Sequence, residues 1–171
     1  MIRVVVIGSE STGKTELARA LASHYGTSWA AEYVREYLDA KGAPLTSEDV
    51  EPIARGQIAA EDAAAARARE LVILDTDLTS TEIYARHYYG AVPEWVARAA
   101  GERRGDLYLL LDIDVPWAAD AQRDRGDRRE EMHALFADGL AGLNVVVIRG
   151  DWEERRRRAI EAIDEVLSAE S

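Results

Sequence analysis

The residues best equipped for chemistry stand near the start of the chain, in GSESTGKTEL at positions 8–17. Their spacing, Gly8-x-x-x-x-Gly13-Lys14-Thr15, is the phosphate-binding P-loop pattern without deviation. The two glycines admit backbone conformations closed to other residues. The N–H groups of Gly8, Ser9, Glu10, Ser11, Thr12 and Gly13 can therefore turn inward around phosphate oxygens, at the start of a helix whose dipole favours negative charge. Lys14 would bridge the outer phosphates and the Thr15 hydroxyl would ligate a magnesium ion. The chain has 19 Arg but only two Lys, Lys14 and Lys41, so a lysine at this position is not drawn from a general surplus.

Four further stretches could serve such a phosphate. ELVILD, ending at Asp75 and followed by Thr76 and Asp77, is an apolar run closed by a carboxylate. Many strands end in Asp, but beside a P-loop Asp75 or Asp77 is expected to handle magnesium or the reacting groups. EYVREY offers Glu32 and Arg35, although Glu32 could instead cap the helix that follows. DIDVPWAAD places Trp117 after Pro116 among acids, which points to a loop-borne ring rather than a core tryptophan. DAQRDRGDRREE (120–131) has four Arg and no large apolar side chain. It reads either as a solvated loop or as an Arg-bearing lid (about 118–131) that excludes water and neutralises transferring charge, with Arg123 and Arg128 as its phosphate contacts.

The elements that must position these residues alternate between β-type and helical runs, the pattern of a mostly parallel sheet covered by helices. Strands are expected at 2–7, 27–32, 70–75, 106–114 and 144–150, and helices near 14–25, 33–41, 47–69, 79–88, 93–103, 129–141 and 152–168. Thr46 or Ser47 can cap the long third helix. Ligands of open parallel sheets bind beyond the carboxyl ends of the strands, which is where every candidate above falls. The fold expected is an α/β P-loop nucleoside- or nucleotide-kinase-like three-layer domain spanning 1–171 with about five strands.

Composition narrows the classes. A net charge of −11 argues against nucleic acid as a partner, since such surfaces need clustered cations. The single basic run, EERRRR at 153–158, lies on a helical pattern beside acids and reads as a solvated face. With no cysteine there is no disulfide, thiolate metal site or thiol nucleophile. No apolar stretch reaches membrane-spanning length, and a strand starting at Ile2 leaves no room for a signal peptide, so a soluble cytoplasmic protein without a membrane partner is expected.

Taken together, GSESTGKTEL, AAEYVREY, LDTDLTSTEIYARHYYG, LYLLLDIDVPWAADAQRD and IRGDWEERRRRAI resemble the nicotinamide riboside kinase domain of the bacterial NAD-biosynthesis regulator family, over nearly the whole chain. The resemblance implies ATP and Mg2+ as cofactors and phosphorylation of the 5′-hydroxyl of nicotinamide riboside to nicotinamide mononucleotide. It implies that Gly8 to Thr15 hold the ATP phosphates while Thr15 and Asp75 manage magnesium. Glu32 is then the first candidate to orient or deprotonate the hydroxyl and Asp77 the second. Trp117 would stack on the nicotinamide, Asp120 would contact the riboside, and Gly150, Asp151 and Trp152 would border the adenine. The helix-turn-helix and adenylyltransferase regions that family members often carry have no counterpart here, so DNA binding and dinucleotide synthesis are not carried over. Two other classes share the P-loop: a kinase for another nucleoside or a nucleoside monophosphate, and a nucleotide-dependent regulatory module. An NKxD motif, which would favour a GTP switch, is absent.

Overall fold

The computed structural model describes residues 1–114 and 128–170. Five strands, β1 (Ile2–Ile7), β2 (Trp29–Ala30), β3 (Leu71–Asp75), β4 (Leu107–Leu111) and β5 (Val145–Ile148), form one parallel sheet in the order β2-β3-β1-β4-β5. The central strands are apolar on both faces, and their alternation sorts the core into two layers. Val4, Val6, Leu71, Ile73, Leu107 and Leu109 face helices α1 (Lys14–Tyr25) and α7 (Trp152–Glu170). Val5, Ile7, Val72, Leu74, Tyr108 and Leu110 face Ala64 of α3 (Val50–Arg67) and Met132 and Phe136 of α6 (Arg129–Gly139). A smaller cluster of Ala54, Leu78, Val96 and Ala100 joins α3 to α4 (Leu78–Tyr89) and α5 (Glu94–Glu102).

The expected elements are all present, some with shortened ends. The second strand pairs only at Trp29 and Ala30; before it the Ser28 carbonyl accepts from the Ile73 N–H (3.3 Å), while Thr27 Oγ1 and Ser28 Oγ donate to the carbonyls of Leu71 and Ala64 (both 2.6 Å). The long third helix begins as a 3-10 turn at Ser47–Asp49, closed by a capping box in which the Thr46 N–H donates to Asp49 Oδ2 at 2.7 Å. The fourth strand stops at Leu111 rather than 114; Asp112 still donates its N–H to the Ile148 carbonyl (2.9 Å), while the carboxylates of Asp112 and Asp114 pair with Arg149 and Arg155. The stretch 120–131 was expected to stay outside the core. Arg129 does not fit that: it starts α6 with its side chain buried, whereas Glu130 and Glu131 after it are exposed. Residues 118–127 of the expected lid, including Arg123, lie outside the described residues.

The helix α2 (Tyr33–Lys41) is seated on α3 through a glycine. A Cβ on Gly56 would come within 2.0 Å of the Tyr33 ring, so only glycine lets the two helices approach this closely. Gly56→Ala is expected to destabilise the fold by about 1–3 kcal/mol through overpacking. Gly101→Ala, at an exposed helical position with nothing within 4 Å, is expected to stabilise by about 0.5–1 kcal/mol. Paired thermal melts of the two variants check both signs.

Candidate active site

The phosphate loop leaves β1 where β1 runs between β3 and β4, with Val6 in register with Asp75 and Ile7 with Leu110. Three of its residues have positive φ: Gly8 (149°), Ser11 (59°) and Gly13 (88°). That sequence of conformations curls a backbone into an anion-binding concavity. Gly8 is also sterically required, since a Cβ there would stand 3.0 Å from the Leu111 carbonyl oxygen. Thr12 Oγ1 and Lys14 Nζ both donate to the Ser9 carbonyl, at 2.8 and 2.9 Å, and draw the loop closed. Gly13 precedes α1, so Lys14 and Thr15 occupy its first turn, where the N–H groups have no partner inside the helix.

Thr15 Oγ1 donates to Asp75 Oδ2 at 2.7 Å, joining the start of α1 to the end of β3. Burial pushes the Asp75 carboxyl up to about 6, the Glu32 charge adds to the rise, and Lys14 and the Thr15 hydroxyl pull it back. A hydroxyl and a carboxylate are the hard oxygen donors that Mg2+ prefers. Among the described residues no cluster of three or more His, Cys, Asp or Glu could hold a metal alone. Positive charge beside this pair would favour the ionised form of Asp75.

The residue after Asp75 redirects the chain. Thr76 has φ of 74°, a conformation costly for a β-branched residue, on the order of 1–3 kcal/mol. It is held by its N–H to the Val6 carbonyl (2.8 Å) and by the Gln57 side-chain amide to its own carbonyl (3.3 Å). In consequence Asp75 and Asp77 do not share the site. Asp77, expected as the second candidate for the acceptor hydroxyl, has a buried carboxylate that accepts from Thr79 N (3.0 Å) and Tyr108 OH (2.7 Å) and caps α4. Burial pushes it up to about 6 against those two bonds.

Beside the phosphate loop lies a cavity of about 520 Å³, walled by α2, the 44–46 segment, α3 and α4. Its lining is mostly apolar or aromatic, including Leu38, Val50, Ile53, Tyr84, Tyr88 and Tyr89. The Tyr84 and Tyr88 rings stack with centroids 5.9 Å apart. Asp49 steadies the rim by accepting from Tyr37 OH (2.6 Å), Lys41 Nζ (2.5 Å) and Thr46 N (2.7 Å), which hold its carboxyl well below the usual range. At the inner end stand Glu10, from the phosphate loop, and Glu32, both buried. Arg35 reaches Glu10 at 3.9 Å. No Lys, Arg or His is among the described lining residues.

The sequence reading missed two residues. Arg155, placed in a solvated basic run, is 3% exposed. Its guanidinium donates to the carbonyls of Gly150 (2.9 Å), Asp112 (3.1 Å) and Thr12 (3.2 Å) and to the Asp114 carboxylate. A buried arginine with that many acceptors binds the phosphate loop to the ends of β4 and β5. Gln57 was unmarked within an alanine-rich helix. Gly150 has φ of 99° and donates to Asp114 Oδ2 at 2.7 Å, and the exposed Asp151 and Trp152 follow it at the start of α7. Arg128 is exposed just before α6, while Trp117 and Asp120 lie outside the described residues.

An N-terminal phosphate loop on the central strand of a parallel sheet, with a hydroxyl–carboxylate pair beside it and an open cavity next to the loop, defines a P-loop domain of nucleoside-kinase fold. The family profile described as an AAA domain matches residues 3–155, and the chain belongs to that family. Over 96% of its length it is 31% identical to the trifunctional NAD biosynthesis/regulator protein NadR of Escherichia coli (strain K12), and it spans 42% of that protein's length. A crystal structure of NadR in complex with NR matches with a TM-score of 0.81 and 29% identity, over 96% of this chain and 51% of that one. NadR in complex with NAD and AMP-PNP gives 0.78 and 28%, over 96% and 49%. No helix among the described residues is long and apolar enough to cross a membrane.

Arg155→Ala is expected to lower stability by about 2–4 kcal/mol, since it strands several buried acceptors at once. It is also expected to weaken AMP-PNP binding, whereas Arg157→Ala, on the exposed face of the same helix, leaves both unchanged. Thermal melts and calorimetric titration of the two variants check the contrast.

Proposed function

We propose that this domain transfers the γ-phosphate of ATP to the 5′-hydroxyl of nicotinamide riboside, forming nicotinamide mononucleotide. One observation carries the reading: the cavity that opens beside the phosphate loop has two buried carboxylates at its inner end, aromatic rings in its wall and no described cation in its lining. A nucleoside monophosphate brings a doubly charged phosphate that such a lining would repel. A riboside with a pyridinium ring brings a permanent positive charge, favoured by the carboxylates and by tyrosine faces at about 0.5–2 kcal/mol. The similarity to NadR, one of whose structures holds NR and another AMP-PNP, supports the same donor and acceptor.

In this reading the N–H groups of residues 8–13 and Lys14 cradle the triphosphate, and Thr15 with Asp75 hold magnesium, which neutralises charge on the phosphoryl oxygens when bound. Glu32, near enough to Asp75 to raise its pKa, orients the acceptor hydroxyl and takes its proton. Trp117 and Asp120 keep the acceptor contacts that the family resemblance gives them, and Arg123 and Arg128 the phosphate contacts of a closing lid. Trp152, exposed at the start of α7, borders the adenine together with Gly150 and Asp151.

The test is a mixed-acceptor assay with ATP. Nicotinamide riboside is expected to be phosphorylated far more efficiently than uridine or cytidine. Its reduced, uncharged form is expected to lose about 2- to 30-fold in kcat/KM, the kinetic equivalent of the cation–aromatic attraction. Preference for a nucleoside monophosphate would overturn the substrate while leaving the kinase. Lys14→Ala is expected to lower turnover by about 10²–10³-fold or more with the fold intact, read by steady-state kinetics and circular dichroism.

A further inference from the structure

Glu32 immediately precedes α2 and occupies its N-cap position, yet its side chain makes no cap hydrogen bond. A helix start leaves backbone N–H groups without partners, and here another residue serves one of them. Gln57 Oε1, from α3, accepts from the Tyr33 N–H at 3.1 Å. The other end of the same amide, Nε2, donates to the Thr76 carbonyl (3.3 Å) and to Glu61 Oε2 (3.0 Å). The orientation of the amide follows from its partners: one is a donor, and the other two can only accept. Gln57 is 2% exposed and Glu61 is fully buried, with Glu61 Oε1 in turn paired to Arg3 (2.6 Å) and Arg103 (3.4 Å). The Gln57 amide is thus anchored from behind while its two ends grip the residue after Glu32 and the residue after Asp75.

We propose that Gln57 is a positioning residue that fixes Glu32 relative to Asp75. By capping α2 in place of Glu32, it keeps that carboxylate out of the helix terminus and turned to the cavity. By holding the Thr76 carbonyl, it stabilises the positive-φ turn that aims Asp75 at Thr15 and Asp77 into the interior. The contact of the Tyr33 ring with Gly56, the residue before Gln57, fixes the same junction from its apolar side. A displacement of about 1 Å between groups that must act together can cost on the order of 100-fold in rate, so a single side chain spanning both is a plain way to set their spacing. The catalytic part of this inference rests on the proposed phosphoryl transfer; the structural part does not.

Two readouts on Gln57→Met, which keeps the volume and removes every hydrogen bond, test it. Hydrogen exchange at the Tyr33 amide is expected to rise about tenfold or more, as for a helix-start amide without a partner, while exchange in the middle of α3 stays the same. With ATP and nicotinamide riboside, kcat is expected to fall about 10- to 100-fold with the KM for ATP within twofold, and the same change made on Glu32→Gln is expected to cost less than twofold more. Unchanged exchange at Tyr33, or an equal loss of kcat in both backgrounds, would overturn the inference. Should Gln57→Met fail to fold, Gln57→Asn, one methylene too short to span both partners, carries the same expectations. If the unaltered protein leaves nicotinamide riboside untouched, the substrate reading falls, and exchange at Tyr33 alone decides the role of Gln57.

Discussion

Everything at the phosphate end of this domain depends on a backbone concavity being held open from behind, and the Arg155 guanidinium does that. A loop that binds anions with N–H groups has no side-chain scaffold of its own, and its carbonyls must be satisfied away from the ligand. Arg155 takes the Thr12 carbonyl and ties it to the carbonyls of Asp112 and Gly150 and to the Asp114 carboxylate. The ends of β4 and β5 and the loop after β1 are therefore one hydrogen-bonded unit. The positive charge lies under a loop built to receive negative charge, so it favours the ligand as well as the fold.

The opposite side of the site is organised by different means. There β3 ends at Asp75, and the strained Thr76 turn sends the flanking side chains of Asp75 and Asp77 in different directions. The strain is offset by the Gln57 and Val6 contacts, and the two aspartates acquire distinct surroundings from it: one beside Thr15 and Lys14 at the loop, the other beneath Tyr108 in the core. Among the described residues the cavity between α2 and α4 then has its carboxylates, Glu10 and Glu32, at the inner end and a mostly apolar or aromatic lining elsewhere. Such a division suits orientation of a mostly planar ligand better than capture of a highly charged one.

Much of this was legible before any coordinates. The β-branched run 2–7, the glycine spacing and the apolar run closed by Asp75 are local signals, and each produced the element expected. The residues that were not legible owe their roles to tertiary geometry. Four consecutive arginines at 155–158 are chemically identical in sequence, and only the docking of α7 under the phosphate loop selects the first of them. Gln57 in an alanine-rich helix has the look of a surface residue until α2 is laid across it. Asp75 and Asp77, two apart, would point the same way in a continuing strand; they part because the strand stops and Thr76 adopts a positive φ, which no residue-type rule for threonine anticipates. Glu32 was correctly placed at the start of α2, but that it does not cap this helix could be known only from the amide that does.

The order of the strands also has a consequence for how the domain comes into being. The central strand β1 pairs with segments about seventy and about a hundred residues further on, as the registers Ile2 with Leu71 and Val4 with Leu107 record, and the arginine that braces its loop comes later still. During synthesis β1 must therefore wait, apolar and unpaired, until the strands that flank it in the sheet have been made, a topology that folds slowly and relies on distant contacts. A nascent or prematurely terminated chain that stops short of α7 has the nucleotide motif in full yet lacks the residue that holds it in shape. Within this domain the phosphate loop is thus made well before the arginine that braces it, which lies 143 residues downstream of Thr12.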